Sequence, residues 1–540
     1  MLTMSELRGW RTARRYAVPA AMIRHATDLR LAGDWRGACA AADVEVDVDL
    51  IALARRHGTD VADRVEADVR HLAPDLLRWH LPRRPGTGKT ALSPRRLSVL
   101  ARYGEGGPVL YAGSPRSGYG RQRLRLIATA DAPERVDRCA VYGDERDGSR
   151  AWYDGDDLTG QRHLWDARRA GELLAHYGLS EVPGLGPPDV TATATLIQDL
   201  QDTGFLDEAL DLLGVEVVAP KPRHWDWRPR LRAGFRCRLP EMVREIRRAG
   251  ARSGATRVTA GFGGTPLLAF EDVTADRIRM TDERRYVPPD DQPYVALDRL
   301  GVPIDALLLR LGLLAPDELH PLVHAAFLPG RDGPPEGPPG PVRPSPVRVR
   351  CRGEWHEVLR MEGGAVRGPH SEEERQRGAA PHTLGGSVDG CFAVAAQWRT
   401  GTGRLPRRLR ELRRELMQRA LHGDAEGVTA LLDEGVDPHV RDDRGRTLLH
   451  LAAHLDDLAL LDRLLTAGLD VNARDLRGVT PLHAAVHGMG DVGVIRALVA
   501  AGADRAVEIA CDEELGEPIA DWAERVRKAD RDVLGPLLRR

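Results

Sequence analysis

The chain has 540 residues, 42% of them hydrophobic and 29% charged, so it holds enough apolar material for several packed domains. Its 78 basic and 80 acidic residues leave a net charge of -2, which excludes a globally basic nucleic-acid-binding protein and an acidic disordered chain. The six cysteines are scattered without Cys-x-x-Cys spacing, so we expect no disulfide framework. Because the sequence lacks a membrane-length apolar stretch and a signal-peptide pattern, we expect a soluble cytoplasmic protein.

Helical and strand patterns alternate in the part of the chain before Pro329. Residues 1–82 are predicted to form an N-terminal helical region, because caps and apolar turns recur between Pro19 and Pro74. Residues 83–328 are predicted to form a mixed α/β body, since the hydrophobic period changes to that of strands from Leu97 onward. This body is predicted to contain strands over Leu97–Tyr103, Val109–Ala112 and Arg123–Thr129 and a helix over Trp165–His176.

A proline- and glycine-rich segment follows this body. Residues 329–346 contain eight prolines and four glycines, a composition that builds neither a helix nor a central strand. We therefore predict a linker or exposed loop over 329–346, followed by a small β unit over 347–404.

Arginines dominate the segment 399–414, which holds seven of them against the single acidic residue Glu411. Such a cluster either binds phosphate-rich partners or forms a helix that docks within the chain. Residues 413–540 carry 17 basic and 24 acidic residues, a net charge of -7, and a module of that charge repels polyphosphate. We therefore predict a structured connector and do not expect a nucleic-acid partner.

The C-terminal region, residues 405–540, contains a repeat with a regular period. The best copy of its motif is Gly478-Val-Thr-Pro-Leu-His-Ala-Ala485, and this motif and period resemble the ankyrin repeat. The resemblance implies helical pairs, with caps at both ends, that stack into a solenoid. Five pairs of identical residues lie 33 positions apart: Gly435 and Gly468, Gly445 and Gly478, Thr447 and Thr480, His450 and His483, and Ala452 and Ala485.

Several repeat residues fit structural roles in such a unit. Pro481 lies at a first helical position, where its missing N–H costs no hydrogen bond. Thr480 and His483 are placed to hydrogen-bond and so to tie a turn to the helix that follows it. Glycines after the second helix of each unit supply a left-handed backbone. The predicted structural residues are Gly445, Thr447, His450, Gly468, Gly478, Thr480, Pro481, His483 and Gly502.

The whole chain also resembles a group of actinobacterial ankyrin-repeat proteins. The resemblance lies in Leu31–Ala40, His71–Pro82 and Gly390–Val394, and it implies no particular activity. Only three of the 78 basic residues are lysines, a bias typical of a GC-rich bacterial genome. The predicted fold class is an α+β multidomain body with a C-terminal α-helical ankyrin solenoid.

The resemblance to ankyrin repeats implies that a partner protein contacts the turn tips and the inner helices. The tips, the segments between successive repeats, are rich in charged residues. His454 and His487 occupy matched inner-helix positions and are predicted to line one side of a groove. The predicted partner-binding residues are Arg441, Asp442, Arg444, His454, Arg474, Asp475, Arg477 and His487.

Part of a phosphate-binding loop is present at Pro85-Gly-Thr-Gly-Lys-Thr90. A P-loop needs a further glycine, where this chain has Arg83, and it also needs a preceding buried strand. The segment Arg78–Pro82 is not such a strand, and Pro94 lies too close for Thr90 to open a good helix. We therefore favour a flexible basic loop over a nucleotide site.

Two further motifs are candidates for chemistry. His320 and His324 lie four residues apart and could present two imidazoles on one helix face to a metal, but no third ligand is placed by spacing. Cys391, near His382 and Asp389, could act as a Cys/His nucleophile. The surrounding sequence equally predicts a turn that enters a strand over Phe392–Ala395. We predict neither a metal nor a catalytic site from these patterns.

The function that these patterns favour is non-enzymatic: a scaffold protein that binds another protein through its C-terminal ankyrin repeats, with no cofactor. The alternative is an enzyme or NTPase-like N-terminal body that the repeats direct to a substrate. The sequence identifies neither the partner, nor the oligomeric state, nor the role of the part of the chain that precedes the repeats.

Overall fold

The computed structural model describes residues 4–83, 91–115, 118, 120–131, 153–176, 196–197, 200–201, 205–218, 238–262, 265–282, 293–297, 303–330, 337–358, 369–371, 373–374, 390–506, 510–511, 514–515, 518–528 and 530–539. These residues form helices, four small sheets and three large hydrophobic cores. In this part of the chain no helix is long and apolar enough to cross a membrane.

Helices dominate residues 4–83. Two of them begin at aspartate caps: Asp34 accepts a hydrogen bond from the Gly37 amide at 2.8 Å, and Asp49 accepts from the amide of Ala52 at 3.0 Å. Such caps satisfy amide groups that the helix itself leaves unpaired. The helices are α1 (Met4–Tyr16), α2 (Ala20–Leu31), α3 (Trp35–Ala41), α4 (Leu50–His57), α5 (Thr59–His71) and α6 (Pro74–His80).

The first five-stranded sheet has the order β1-β4-β3-β2-β5. Strands β2 to β4 form an antiparallel meander, and the two edge strands each run parallel to their neighbour. The three strands that the sequence predicted in this region are present, each within one residue of the predicted bounds. The strands are β1 (Val44–Asp47), β2 (Arg96–Arg102), β3 (Val109–Gly113), β4 (Leu124–Thr129) and β5 (Tyr153–Asp157).

The second five-stranded sheet has the same topology as the first. Its order is β10-β7-β8-β9-β6, with an antiparallel meander β7-β8-β9 flanked by two parallel edge strands. Short helices precede both first strands, α3 before β1 and α8 before β6. The elements are α8 (Leu206–Leu212), β6 (Val215–Val217), α9 (Leu239–Ser253), β7 (Arg257–Phe262), β8 (Thr265–Glu271), β9 (Ile278–Asp282) and β10 (Tyr294–Ala296).

The likeness of the two sheets extends to individual backbone bonds. The amide of Leu124 donates to the Asp43 carbonyl at 3.0 Å, and the amide of Ile278 donates to the Gly214 carbonyl at 2.9 Å. The edge strands β1 and β6 both read Val-Glu-Val, and their partner strands, β4 and β9, each place an arginine opposite that glutamate. The body therefore contains the same α/β unit twice, which the sequence analysis did not detect.

The helix predicted over Trp165–His176 is wrong in its extent. The structure has 3₁₀ turns at Arg162–Leu164 and Ala170–Glu172 and a short helix, α7, only over Leu173–His176. The reason is tertiary: the Trp165 carbonyl accepts from the Ala73 amide at 2.8 Å, and a β-bridge joins Asp166 to Leu72. These bonds hold the chain in turns around a β-bridge where the sequence pattern favours a helix.

The described part of the proline-rich segment is packed against both halves of the chain. A Cβ added to Gly337 would lie 3.0 Å from Ile23 Cδ1, and the Pro339 carbonyl accepts a hydrogen bond from Arg419 at 3.1 Å. Residues 337–346 therefore bridge the N-terminal helices and the repeat region. Before this segment lie α10 (Ile304–Arg310), a 3₁₀ turn (Pro316–Glu318) and α11 (Pro321–Phe327).

A β-hairpin and a helix follow the proline-rich segment. The hairpin pairs β11 (Val347–Cys351) with β12 (Glu354–Val358), and the helix is α12 (Gly390–Thr400). The strand predicted over Phe392–Ala395 is therefore wrong. The stretch is rich in alanine, and Val394 and Trp398, four residues apart, are both buried, which is the spacing of a helix face.

Paired helices make up the C-terminal region. Their buried leucines and valines form one core that continues into α12 and the hairpin. The helices are α13 (Arg407–His422), α14 (Ala425–Asp433), α15 (Ala452–Leu455, after a 3₁₀ turn at Leu448–Leu451), α16 (Leu458–Thr466), α17 (Pro481–His487), α18 (Val492–Ala500), α19 (Ile519–Val526) and α20 (Arg531–Arg539). Two short β-hairpin strands, β13 (Ala510–Cys511) and β14 (Glu514–Leu515), precede the last pair.

Candidate functional site

Threonine and histidine side chains join successive units of the C-terminal region. The hydroxyl of Thr447 lies 2.9 Å from His450 Nδ1, and that of Thr480 lies 2.7 Å from His483 Nδ1. His450 Nε2 donates to the carbonyl of Val479 in the next unit at 3.0 Å. Burial lowers the pKa of His450, so the ring is neutral and serves as one donor and one acceptor.

Glycines end the second helix of each unit. Gly435, Gly468 and Gly502 have φ angles of 87°, 86° and 91°, in the left-handed region that residues other than glycine rarely adopt. Gly445 and Gly478 have φ angles of 76° and 79° in the turns between units. The period seen in the sequence therefore corresponds to a repeated backbone conformation.

A family model described as ankyrin repeats, in three copies, matches residues 416–508. These residues form three ankyrin repeats. No curated protein matches the chain. The match begins within α13 and runs through α18 and the turns between them, and it leaves the N-terminal body outside the matched range.

Two of the predicted contact residues belong to the framework of the turns. The Asp442 carboxylate accepts from the amides of Arg444 at 3.0 Å and Arg446 at 2.8 Å. Asp475 makes the equivalent bonds, from the amides of Arg477 at 2.8 Å and Val479 at 2.9 Å. Asp442 is buried, with 7% of its surface exposed, so its carboxylate holds the turn.

Arg441 links two neighbouring turns. Its Nη1 donates to the carbonyl of Gly445 at 2.9 Å and to that of Arg474 at 2.8 Å, and the side chain is half-buried. Its own amide donates to the Trp398 carbonyl of α12 at 3.3 Å. Arg441 therefore fixes the spacing of the tips and anchors them to the preceding helix.

The exposed part of the tips is a ridge formed by Arg444, Arg474, Leu476 and Arg477, here named the tip ridge. All four are exposed, and Leu476 has 68% of its surface accessible. The amide of Leu476 donates to the carbonyl of Arg444 at 2.9 Å, which holds the two tips side by side. The ridge thus combines three guanidinium groups with one large apolar side chain.

The two predicted inner-helix histidines are half-buried within the protein. Burial lowers the pKa of His454 to about 4, so its ring is neutral near pH 7. The ring of His487 stacks on the buried Trp522 of α19, with centroids 3.9 Å apart. Both rings therefore pack inside the chain at the ends of α15 and α17.

The N-terminal body covers this end of the inner helices. Arg121 and Arg123, which lie just before β4, approach Asp456 Oδ2 at 3.1 and 3.2 Å. Both arginines also contact Asp43 of the body, at 2.9 and 3.2 Å. A Cβ added to Gly120 would lie 2.2 Å from the Gly488 carbonyl, so the two surfaces meet backbone to backbone.

A second contact joins α1 to the first ankyrin helix, α13. The Tyr16 hydroxyl donates to Glu415 Oε2 at 2.6 Å, and the Tyr16 ring stacks on His422 with centroids 5.8 Å apart. Arg15 Nη2 lies 3.5 Å from the same carboxylate. Burial and the Glu415 charge raise the pKa of Tyr16 well above its ordinary value, so the hydroxyl stays a donor.

The arginine-rich segment has two parts in the structure. Arg399 lies near the end of α12, 3.5 Å from the buried Asp437 carboxylate, while Arg407 to Arg414 form the start of α13. Arg413 donates to the Gly401 carbonyl at 3.1 Å. The segment therefore makes several contacts within the chain.

The remaining sequence candidates lie elsewhere. Pro85–Thr90 is outside the described residues. His320 uses both ring nitrogens within the protein: Nε2 lies 2.9 Å from Asp75 Oδ2, and Nδ1 accepts from the Leu322 amide at 3.2 Å. Both ring nitrogens of His320 are therefore already hydrogen-bonded, whereas a metal site shared with His324 would need one of them as a ligand.

Cys391 lies among residues that the sequence analysis did not connect with it. Its predicted neighbours His382 and Asp389 are outside the described residues. In the structure its Sγ lies 3.6 Å from His356 Nδ1, and Cys351 and His370 complete a compact group of four. Burial and the neighbouring Cys351 raise the pKa of the Cys391 thiol to about 12, whereas a nucleophilic cysteine needs a lowered pKa.

Proposed function

We propose that this protein is a scaffold that binds another protein through the tip ridge of its ankyrin repeats. The observation that carries the proposal is the exposure of Leu476 among Arg444, Arg474 and Arg477. Exposed apolar side chains combined with arginines are typical of protein-binding surfaces. The repeats stack as a short solenoid, which holds this ridge in a fixed shape.

In this proposal the partner contacts the tips and not the concave groove of the repeats. Asp442 and Asp475 support the turns, and His454 and His487 pack within the chain, so these four act through the framework. Arg441 spaces the tips. The residues proposed to touch the partner are therefore those of the tip ridge.

Three guanidinium groups on one ridge favour a partner with an acidic surface around an apolar contact. Such a partner is a folded protein or a peptide segment with carboxylates flanking an apolar residue. The proposal places this interaction in the cytoplasm and assigns the N-terminal body no catalytic step.

The test compares full-length baits in affinity purification. One bait is the natural chain, and a second carries Arg444→Ala, Arg474→Ala and Arg477→Ala. The control bait replaces three exposed arginines of the N-terminal helices, Arg8, Arg24 and Arg55, by alanine, so the net charge changes equally.

We expect a protein that the natural and control baits retain and that the tip-ridge variant loses. Circular dichroism should show that all three baits are equally folded, since exposed substitutions usually shift stability by about 0.5 kcal/mol or less. Equal retention of every captured protein by the tip-ridge variant would refute the proposal.

A further inference from the structure

Four side chains of the kinds that bind metals meet between the β11–β12 hairpin and helix α12. They are Cys351, His356, His370 and Cys391, and one ligand atom from each lies within 4.8 Å of those of the others. Both cysteines are buried, at 3% and 4% exposure, and both histidines are half-buried. Only Cys351 and His356 are close in sequence, and the fold brings His370 and Cys391 to them.

The hairpin positions the first two of these side chains. Its two-residue turn, Arg352–Gly353, has φ angles of 52° and 91°, as the tight turn of a two-residue hairpin requires. His356 lies opposite Val349 in the strand register, and Val349 is two residues before Cys351 in the same strand. Since residues two apart share a face of a strand, Cys351 and His356 point to the same side of the hairpin.

Close packing brings Cys391 to the same place. Gly390 has φ 63°, and a Cβ added to it would lie 2.7 Å from Cys351 Sγ. Only a glycine allows helix α12 to start this near the hairpin. Cys391 lies in the first turn of that 11-residue helix.

We propose that Cys351, His356, His370 and Cys391 bind one zinc ion in a tetrahedral site. Zinc bonds of about 2.3 Å to sulfur and 2.0–2.1 Å to nitrogen imply ligand separations of roughly 3.3 to 3.8 Å around a tetrahedron. Two of the four sulfur–nitrogen distances, Cys351 to His370 and Cys391 to His356, are 3.6 Å. The nitrogen–nitrogen distance between the histidines is 3.2 Å.

The outer nitrogen of each histidine faces a carboxylate. His356 Nε2 lies 3.8 Å from Glu354, and His370 Nδ1 lies 3.8 Å from Glu374. The Glu374 carboxylate is held by the Ser371 amide at 2.9 Å. A carboxylate that is hydrogen-bonded to a metal-binding imidazole orients the ring and increases its basicity. At 3.8 Å both carboxylates lie beyond hydrogen-bond distance but within reach of charge attraction to the rings.

The donor set indicates the class of metal and its role. Two thiolates and two imidazoles suit zinc, whereas magnesium and calcium take oxygen ligands. Four protein ligands close the coordination sphere, which is typical of a structural rather than a catalytic zinc site.

A metal here stabilises the flank of the ankyrin repeats. An isolated two-stranded hairpin is marginally stable, and zinc would cross-link it to α12. Helix α12 in turn contacts the first tip, because the Trp398 carbonyl accepts from the Arg441 amide and Gly401 lies against the Asp442 carbonyl. The zinc site thus holds the helix on which the repeat region rests.

The test measures metal in the purified full-length chain, grown with added zinc and then desalted. Elemental mass spectrometry should find one zinc ion per chain. Replacement of zinc by cobalt(II) should give the visible absorption of tetrahedral cobalt with thiolate ligands. A chain that takes up no zinc, or whose cobalt form lacks the tetrahedral thiolate bands, would overturn the proposal without the use of any variant.

Variants then identify the ligands. Cys351→Ser, Cys391→Ser and His356→Asn should each lower the bound zinc at least tenfold after dialysis against a weak chelator. Cys39→Ala is the control, because Cys39 is equally buried but lies in the N-terminal core, and it should keep the full zinc content. If the cysteine variants do not fold, the zinc content of His356→Asn, a change at a half-buried residue, and the cobalt spectrum of the natural chain test the assignment. Full zinc in folded Cys351→Ser or His356→Asn, or a Cys351–Cys391 disulfide instead of metal, would contradict the assignment.

Discussion

Arg419 neutralises two buried carboxylates where the N-terminal body meets the first ankyrin repeat. Its Nε and Nη2 donate to Glu415 Oε1 at 3.0 and 2.7 Å, and its Nη1 donates to Asp424 at 2.5 Å. Nη2 also reaches the Pro339 carbonyl at 3.1 Å. The side chains of Arg419, Glu415 and Asp424 are 1%, 4% and 3% exposed. Arg419→Met keeps most of the volume but removes the cation that both carboxylates share, which leaves Asp424 unpaired by it and Glu415 with only Arg15, at 3.5 Å.

The expected loss follows from this burial. Breaking a buried ion pair by removing one partner costs about 3–5 kcal/mol, because the remaining charge is left desolvated. Asp424 also caps α14 through the Gly427 amide at 2.8 Å, so its disturbance adds to the loss. We therefore expect Arg419→Met to lower the free energy of opening of α13 and α14 by about 3–5 kcal/mol.

Hydrogen exchange with mass spectrometry on the full chain measures this quantity locally. Peptides that cover α13 and α14 should exchange faster in Arg419→Met than in the natural chain. The control is Arg410→Met, an exposed arginine on the same helix, with an expected change of about 0.5 kcal/mol or less. Equal protection of α13 and α14 in the two variants would refute the view that this buried charge cluster stabilises the junction.

Two further predictions concern the core and the pH response. Leu464 is 1% exposed, whereas Leu465 is only partly buried. In urea unfolding, Leu464→Ala should lower the free energy of unfolding by about 2–5 kcal/mol and Leu465→Ala by distinctly less. Equal losses in the two variants would contradict this packing. Burial lowers the pKa of His422 and His454 to about 4, so the unfolded chain binds more protons than the folded chain below about pH 6.5. The free energy of unfolding should therefore fall as the pH drops from 6.5 to 4, and a His422→Gln, His454→Gln variant should fall less; an unchanged pH dependence would count against burial of these rings.

The ankyrin repeats could be predicted from the sequence because each repeat is a local unit. Its glycines, its Thr–His pair and its apolar spacing all lie within one period of the repeat, so the pattern can be read along the chain. The strands β2 to β4 were predictable for the same reason. The helix predicted around Trp165 is wrong, because bonds from Leu72 and Ala73, far earlier in the chain, hold that segment in turns around a β-bridge.

The metal-ligand cluster could not be predicted because its residues are far apart in sequence. Zinc sites are recognised by two closely spaced pairs of ligands, and here only Cys351 and His356 form such a pair, while His370 and Cys391 are far apart in sequence. The contacts between the body and the repeats could not be predicted either, because residues such as Arg121 and Asp456 are far apart in sequence and meet only in the folded chain. The duplicated α/β unit left one signal, the recurring Val-Glu-Val strand, which is too short to stand out by itself.

Measurement of the affinity between the captured partner and the full-length chain tests the role of the tip ridge most directly. Titration calorimetry with the natural chain, the triple arginine variant and Leu476→Ser should show Kd values that rise at least tenfold in both variants. Added salt should weaken the natural complex more than the arginine variant, because the guanidinium groups supply its charge attraction. Unchanged Kd values in both variants would contradict the account and place the partner contact elsewhere on the protein.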